Sequence, residues 1–190
     1  MNTMTFLRNA ILGAILVATL PALFGADSTA SAPANRPDPW QPLRRLIGTW
    51  EGEVHGEPGA GQVRREYRFI LGDRFIEATN VSIYPPQEKN PKGERHEDRG
   101  LFSYDRAQKK IVLRQFHIEG FVNQYALESI SSDGNTVVFV TIAIENIPPG
   151  WHARETYTFL SDDEFTEKFE LAEPDKDFAP YSETRFKRVR

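Results

Sequence analysis

Residues 63–83 read Val63-Arg-Arg-Glu-Tyr67-Arg-Phe69-Ile-Leu71-Gly72-Asp73-Arg-Phe75-Ile-Glu77-Ala-Thr79-Asn-Val81-Ser-Ile83. Val63, Arg65, Tyr67, Phe69 and Leu71 alternate with Arg64, Glu66, Arg68 and Ile70, a period of two that sends successive side chains to opposite faces of an extended chain. Beyond Gly72-Asp73 the alternation resumes, with Phe75, Glu77, Thr79, Val81 and Ile83 set against Arg74, Ile76, Ala78 and Asn80. Two such runs joined by a Gly-Asp pair predict a tight hairpin.

The same period predicts strands over 48–55, 97–104, 110–119, 121–129, 136–145, 152–160, 164–171 and 181–189, about ten in all. Short connections with turn chemistry separate them, as at Ser132-Asp-Gly134-Asn135 and Pro148-Pro-Gly150. Helical pattern is confined to a turn at Leu43-Arg-Arg-Leu-Ile47, with a second candidate over 175–179. Consecutive short hairpins make neighbouring strands antiparallel, and a meander of this length leaves unpaired edges unless it closes. The expected fold is therefore all-β, a closed up-and-down antiparallel barrel of about ten strands with a short N-terminal helical turn. A two-sheet sandwich is the second choice.

North of the barrel lies a targeting pattern. Residues 1–26 hold one basic residue, Arg8, then an apolar run from Ala10 to Leu20 that stops at Pro21, the n- and h-regions of a signal peptide. The run is about half of the roughly 20 apolar residues needed to span a bilayer. Small residues at Ala26, Ala30 and Ala32 offer cleavage points. Residues 27–42, rich in Pro, Ala and Ser, read as a linker, and 43–190 as the barrel domain. The expected location is periplasmic or secreted, with no stable membrane insertion after cleavage.

The 190 residues hold no cysteine, 27 acidic and 23 basic side chains and a net charge of −4. Disulfides, thiolate metal sites and cysteine nucleophiles are excluded, and nucleic acid is not an expected partner. Barrels of this size enclose side chains plus one small ligand, so function is sought inside. Leu113-Arg-Gln115-Phe-His117-Ile-Glu119 holds the densest chemistry. A strand places His117 and Glu119 on one side, about 7 Å apart, facing either the cavity or solvent. In the cavity, Glu119 could orient the His117 imidazole as a general base, with Arg154 as an anion stabiliser, for an isomerase or hydrolase. Asn123 and Tyr125 continue the half-polar row; Trp151 and His152 follow the Pro148-Pro-Gly150 loop toward a barrel mouth. Residues 84–99 read as a charged, proline-containing rim loop. His55, His96, His117 and His152 fall in four elements without close spacing, so no metal site is read from the sequence.

Gly48-Thr-Trp50-Glu-Gly52, entered from the helical turn, resembles the opening of the calycin superfamily, which includes lipocalins and fatty-acid-binding proteins. The G-x-W-x-G form is more particularly similar to nitrobindin-like haem-binding barrels of the kind fused in THAP-domain proteins, and to small bacterial lipocalin-like families. The resemblance implies an interior ligand site and, by the nitrobindin route, a haem. Gly52 is followed here by Glu53-Val-His-Gly-Glu57-Pro58 without the Tyr-Pro of that pattern, and no histidine follows His152, so a haem iron would need His117 or His152 as a relocated ligand.

The expected function is thus a non-enzymatic carrier or sensor for a small hydrophobic or amphipathic molecule. Trp50, Tyr67, Phe69 and Phe75 are the expected aromatic lining, and Gln115, His117, Asn123, Tyr125 and Arg154 the polar contacts. The alternatives are a haem barrel and the His117–Glu119 enzyme.

Overall fold

The computed structural model describes residues 38–190. The signal-peptide reading and most of the expected linker lie outside these residues. A 3-10 helix (η1, Gln41–Leu46) leads into ten antiparallel strands: β1 (Gly48–Gly56), β2 (Gly59–Ile70), β3 (Phe75–Tyr84), β4 (Glu94–Asp105), β5 (Lys110–His117), β6 (Val122–Ile130), β7 (Thr136–Glu145), β8 (His152–Ser161), β9 (Glu164–Ala172) and β10 (Ala179–Arg188). Each pairs with its sequence neighbour, and β1 pairs with β10, so the sheet closes on itself as expected and no edge remains.

The seam between β1 and β10 explains the two glycines of the opening motif. A Cβ on Gly52 would come within 2.5 Å of the Arg185 carbonyl oxygen on β10. Gly48 turns the chain into β1 at φ +127°, a region that side-chain-bearing residues rarely adopt, and a Cβ there would meet Arg188 Nη1 at 2.7 Å. Arg188 uses that space. It donates to the carbonyls of Ile47 and Arg45, each at 2.7 Å, which η1 leaves unpaired, and its guanidinium lies 4.2 Å from the Trp50 ring centroid.

Trp50 is fully buried and donates its indole N–H to the Leu46 carbonyl at 2.6 Å. It packs edge-on against Phe165, whose ring stacks on Phe186. Together with Leu43, Leu46, Phe102, Phe139 and Phe159 these residues form an apolar plug at the end where β1 begins. Trp40 belongs to this end, against the expectation of a linker through Pro42: it is buried, meets Phe69 at 6.4 Å and donates its indole N–H to the Asp73 carbonyl in the β2–β3 turn. An indole in reach of apolar surface and an acceptor has more to bury than its Pro-rich surroundings suggest. The other candidate helical segment, 175–179, is turn and coil over 175–178, and Ala179 opens β10.

Two changes test the seam and the plug. Gly52→Ala is expected to cost about 1–3 kcal/mol, because β10 must move off its register. Trp50→Ala is expected to cost about 3–5 kcal/mol as a cavity opens in the plug. Urea midpoints at unchanged m value measure both.

Candidate functional site

Inward positions follow from strand parity: residues 65 and 67 on β2, 80 and 82 on β3, 96, 98 and 102 on β4, 113, 115 and 117 on β5, 123 and 125 on β6, 155 and 157 on β8, 165 and 167 on β9. The plug fills the lower part of the interior. Above it, at the end where β1 finishes, lies a cavity of about 650 Å³. Tyr84, Phe121, Trp151, Phe169 and Tyr181 give it an aromatic upper wall, and its floor is polar.

The floor is built around an ion pair. Arg65 and Glu167, both buried, meet across the barrel through two hydrogen bonds, of which Arg65 Nη2 to Glu167 Oε1 is 3.0 Å. Arg65 also donates to Asn80 Oδ1 at 3.0 Å and to the Tyr67 hydroxyl at 3.1 Å. Burial would strip the charge from Arg65, but Glu167 outweighs it and holds the guanidinium more basic than usual. Beside the pair, Glu155 accepts from the Tyr157 hydroxyl at 2.5 Å. Burial, reinforced by the negative charge of Glu167, pushes the Glu155 carboxyl up to about 8. This acid of the floor is thereby held toward its neutral form, in which it can donate as well as accept.

The wall above carries a second network. Asn80 Nδ2 donates to Asp98 at 2.8 Å, and His96 Nε2 lies 3.4 Å from Asp98 Oδ2. His96 Nδ1 is 2.8 Å from Glu119 Oε1 and its Nε2 is 3.5 Å from His117 Nδ1. Burial opposes charge on His96, yet the two carboxylates prevail and raise it to about 9; burial lowers His117 to about 4. His117 Nε2 faces Asn123 Nδ2 at 3.3 Å, and its ring stacks on Phe121 with centroids 4.1 Å apart. Among the described residues, the buried acceptors Gln115 Oε1 and Asn123 Oδ1 have no donor from the protein.

Of the residues singled out in the sequence, Gln115, His117, Glu119, Asn123 and Trp151 line the cavity. Tyr125 lies just beneath, its hydroxyl accepting from Asn123 Nδ2 at 3.0 Å. Tyr67 sits at the floor against Arg65. Four others stand elsewhere. Trp50 is in the plug, and Phe69 packs there against Trp40, because both come from the strand ends that the 3-10 helix covers. Phe75 shares the outer face of β3 with Glu77, since Ile76, Ala78 and Asn80 hold the inward parity. Arg154 also faces outward, bonded to Glu170 at 2.6 Å with Phe178 against its guanidinium. Its inward neighbour is Glu155.

The expected His117–Glu119 dyad is replaced by a different pairing: Glu119 engages His96, and His117 turns its nitrogens to His96 and Asn123. Nor do the residues present fit a haem. An axial ligand needs a nitrogen facing an apolar slot, whereas both nitrogens of His117 face polar partners above a charged floor, and His152 is exposed at the start of β8. The expected rim loop is shorter than 84–99, because β4 begins at Glu94 and carries His96 and Asp98 inward.

Arg65, Asn80, His96, Asp98, Glu155 and Glu167 were not read as site residues from the sequence. A signal existed for three of them. Arg65 shares the parity of Val63 and Tyr67, Glu155 that of Tyr157 and Phe159, and Glu167 that of Phe165 and Phe169. A charge on the apolar face of a strand needs a buried partner; Arg65 and Glu167 supply one another, and Glu155 takes the Tyr157 hydroxyl.

No protein-family model and no curated protein matches the chain. Among solved structures it is similar to Rv2717c from M. tuberculosis, with a TM-score of 0.59 and 14% identity over 82% of this chain and 100% of that one. The S-type phycobiliprotein lyase CPES from Guillardia theta aligns with a TM-score of 0.48 and 13% identity, over 77% of this chain and 89% of that one. A de novo designed fluorescence-activating β barrel aligns with a TM-score of 0.41 and 14% identity, over 76% and 94%. The likeness to Rv2717c is one of fold alone, and the fold of this chain is a closed barrel of ten antiparallel strands.

Glu155 makes stability depend on pH with a definite sign. Its carboxyl rises from 4.5 in the unfolded chain to about 8, so its contribution is complete below 4.5 and is lost as pH rises through 8. The stability of the wild type relative to Glu155→Gln is expected to fall steadily from pH 5 to pH 8 in urea melts and to level off above that. A difference independent of pH would show that Glu155 is ionised in the fold.

Proposed function

We propose that this protein is an exported carrier or sensor that takes a small amphipathic molecule into the open half of the barrel, apolar body against the aromatic wall and cationic or hydrogen-donating head toward the floor. Support for the pocket's class comes from its make-up, a concave site with an aromatic wall and a few convergent polar groups. Support for export comes from the N-terminal pattern of Arg8 followed by the apolar run to Leu20.

The observation that carries the choice of head group is the surplus of acceptors. Glu94, Asp98, Glu119, Glu155 and Glu167 line the cavity, against the cations Arg65 and His96. Even with Glu155 neutral and His96 protonated, four carboxylates face two positive charges. Arg65, the one guanidinium there, is already held by Glu167, so a carboxylate or phosphate head would find no free cation on the floor. A donor head meets Gln115 Oε1 and Asn123 Oδ1, both lacking a protein donor among the described residues.

Trp151 lines the mouth, whereas Trp40 and Trp50 are buried at the plugged end, so Trp151 emission reports on the cavity. With a matched pair of probes, dodecylammonium and dodecanoate, at pH 7 and below their micelle concentrations, the amine is expected to bind at least about tenfold tighter, equivalent to about 1.4 kcal/mol. The signal should disappear in Trp151→Phe, and Asp98→Asn should reduce the preference. Equal affinity, or a preference for the carboxylate, would overturn the choice of head group; binding of neither would overturn the carrier reading itself.

A further inference from the structure

We propose that His96, His117 and Glu119 form a binding site for one divalent transition ion of the zinc type, open to the cavity on its remaining side. The three residues offer one ligand atom each, and these atoms all lie within 4.8 Å of one another. Bonds of about 2.0–2.2 Å from zinc to imidazole nitrogen and carboxylate oxygen place tetrahedral ligand atoms roughly 3.3–3.6 Å apart. The two imidazoles stand at that spacing already, with His96 Nε2 3.5 Å from His117 Nδ1. As a hydrogen bond this contact is at the limit of length; as the edge of a coordination tetrahedron it needs almost no change.

The backbone holds the three in place independently of any ion. β4 and β5 pair with Asp98 opposite His117, and the ladder runs on past the end of β5 through the Ile118 N–H, which donates to the Glu97 carbonyl at 3.0 Å. That extra bond brings Glu119 across from His96. The turn is fixed by the Gly120 N–H donating to the His117 carbonyl at 2.8 Å, with Gly120 at φ +91°. Neighbours orient the rings: Phe121 stacks on His117, Asn123 faces its far nitrogen at 3.3 Å, and Asp98, held by Asn80, lies 3.4 Å from His96 Nε2 on the ligand side, while Glu119 reaches the ion by turning from His96 Nδ1, 2.8 Å away. Carboxylates and amides behind ligating histidines set ring orientation and tune the ion.

Two nitrogens and one carboxylate oxygen favour zinc, cobalt, nickel or copper over calcium or magnesium, which prefer all-oxygen shells. All three residues line the cavity, so a fourth position faces whatever enters it. The site rests on the geometry of β4 and β5, whereas the head-group reading counts Glu119, Asp98 and His96 only among the charges of the cavity.

The test uses the full chain, purified without a histidine tag and stripped with chelator, at pH 7.5. Zinc is expected to bind one per chain with a micromolar or tighter Kd by equilibrium dialysis. Cobalt should give the intense visible bands of a four-coordinate ion. Proton NMR of the unmutated protein should shift the imidazole resonances of His96 and His117 and leave those of His55 and His152 in place, which keeps the test valid if a variant fails to fold. His96→Ala and His117→Ala should each weaken zinc by about 100-fold or more, and Asp98→Asn by about tenfold. Absence of saturable binding at millimolar zinc, or zinc shifts confined to His55 and His152, would overturn the site.

Discussion

A ten-strand meander satisfies its backbone only if the last strand meets the first, and everything else in this barrel is arranged around that one seam. The seam demands glycine at 52, where the β10 carbonyl of Arg185 leaves no room for a Cβ. It demands a chain entry at Gly48 that leaves space for Arg188. Arg188 in turn joins the end of β10 to the carbonyls at the end of the 3-10 helix and to the face of Trp50. One residue thus ties the closing strand, the helical lid and the central indole of the plug. Closure and plugging are one construction, and they decide which end of the barrel can hold a ligand.

Above the plug the interior changes character within two residues along each strand. On β2, Phe69 packs with the plug, Tyr67 turns its hydroxyl to the floor and Arg65 carries a full charge. Desolvating Arg65 and Glu167 is costly, and their attraction offsets it only because the guanidinium also bonds Asn80 and Tyr67 and because Glu155 beside them gives up its charge. A core of apolar residues would be an easier way to fill the same volume. The barrel keeps polar groups there, and two amide oxygens without donors among the described residues, at the bottom of a cavity walled with aromatic rings. Such an interior forgoes stability that an apolar filling of the same volume would supply.

The legible part of this protein was whatever depends on neighbours along the chain. Alternation at Val63, Arg65, Tyr67 and Phe69 announced β2, and Gly72-Asp73 announced the turn that follows. Parity at Gln115, His117 and Asn123 placed those residues on one face, which is the face that lines the cavity. Parity misled where aromatic character was allowed to outweigh it, as at Phe75, whose ring lies outside because Ile76 and Asn80 hold the inside. Arg154 was chosen for its chemistry when its neighbour Glu155 had the better phase. Trp50 was expected in the ligand lining, but its place in the plug removes it from the ligand, because a ring buried under a helical lid cannot also face an open mouth.

Read alone, the chain determines ten strands, their antiparallel order and the faces most side chains take, since a period of two and a tight turn are local properties of the backbone. It could not determine which chemistry meets. Arg65 and Glu167 are separated by 102 residues, His96 and Glu119 by 23, and each pair touches only because of inter-strand register and barrel closure. Register is set by hydrogen bonds between strands, such as Ile118 to Glu97, and the circumference by all ten strands at once. Those are properties of the whole sheet, so the neutral acid of the floor and the His96–His117–Glu119 cluster were decided by the tertiary structure.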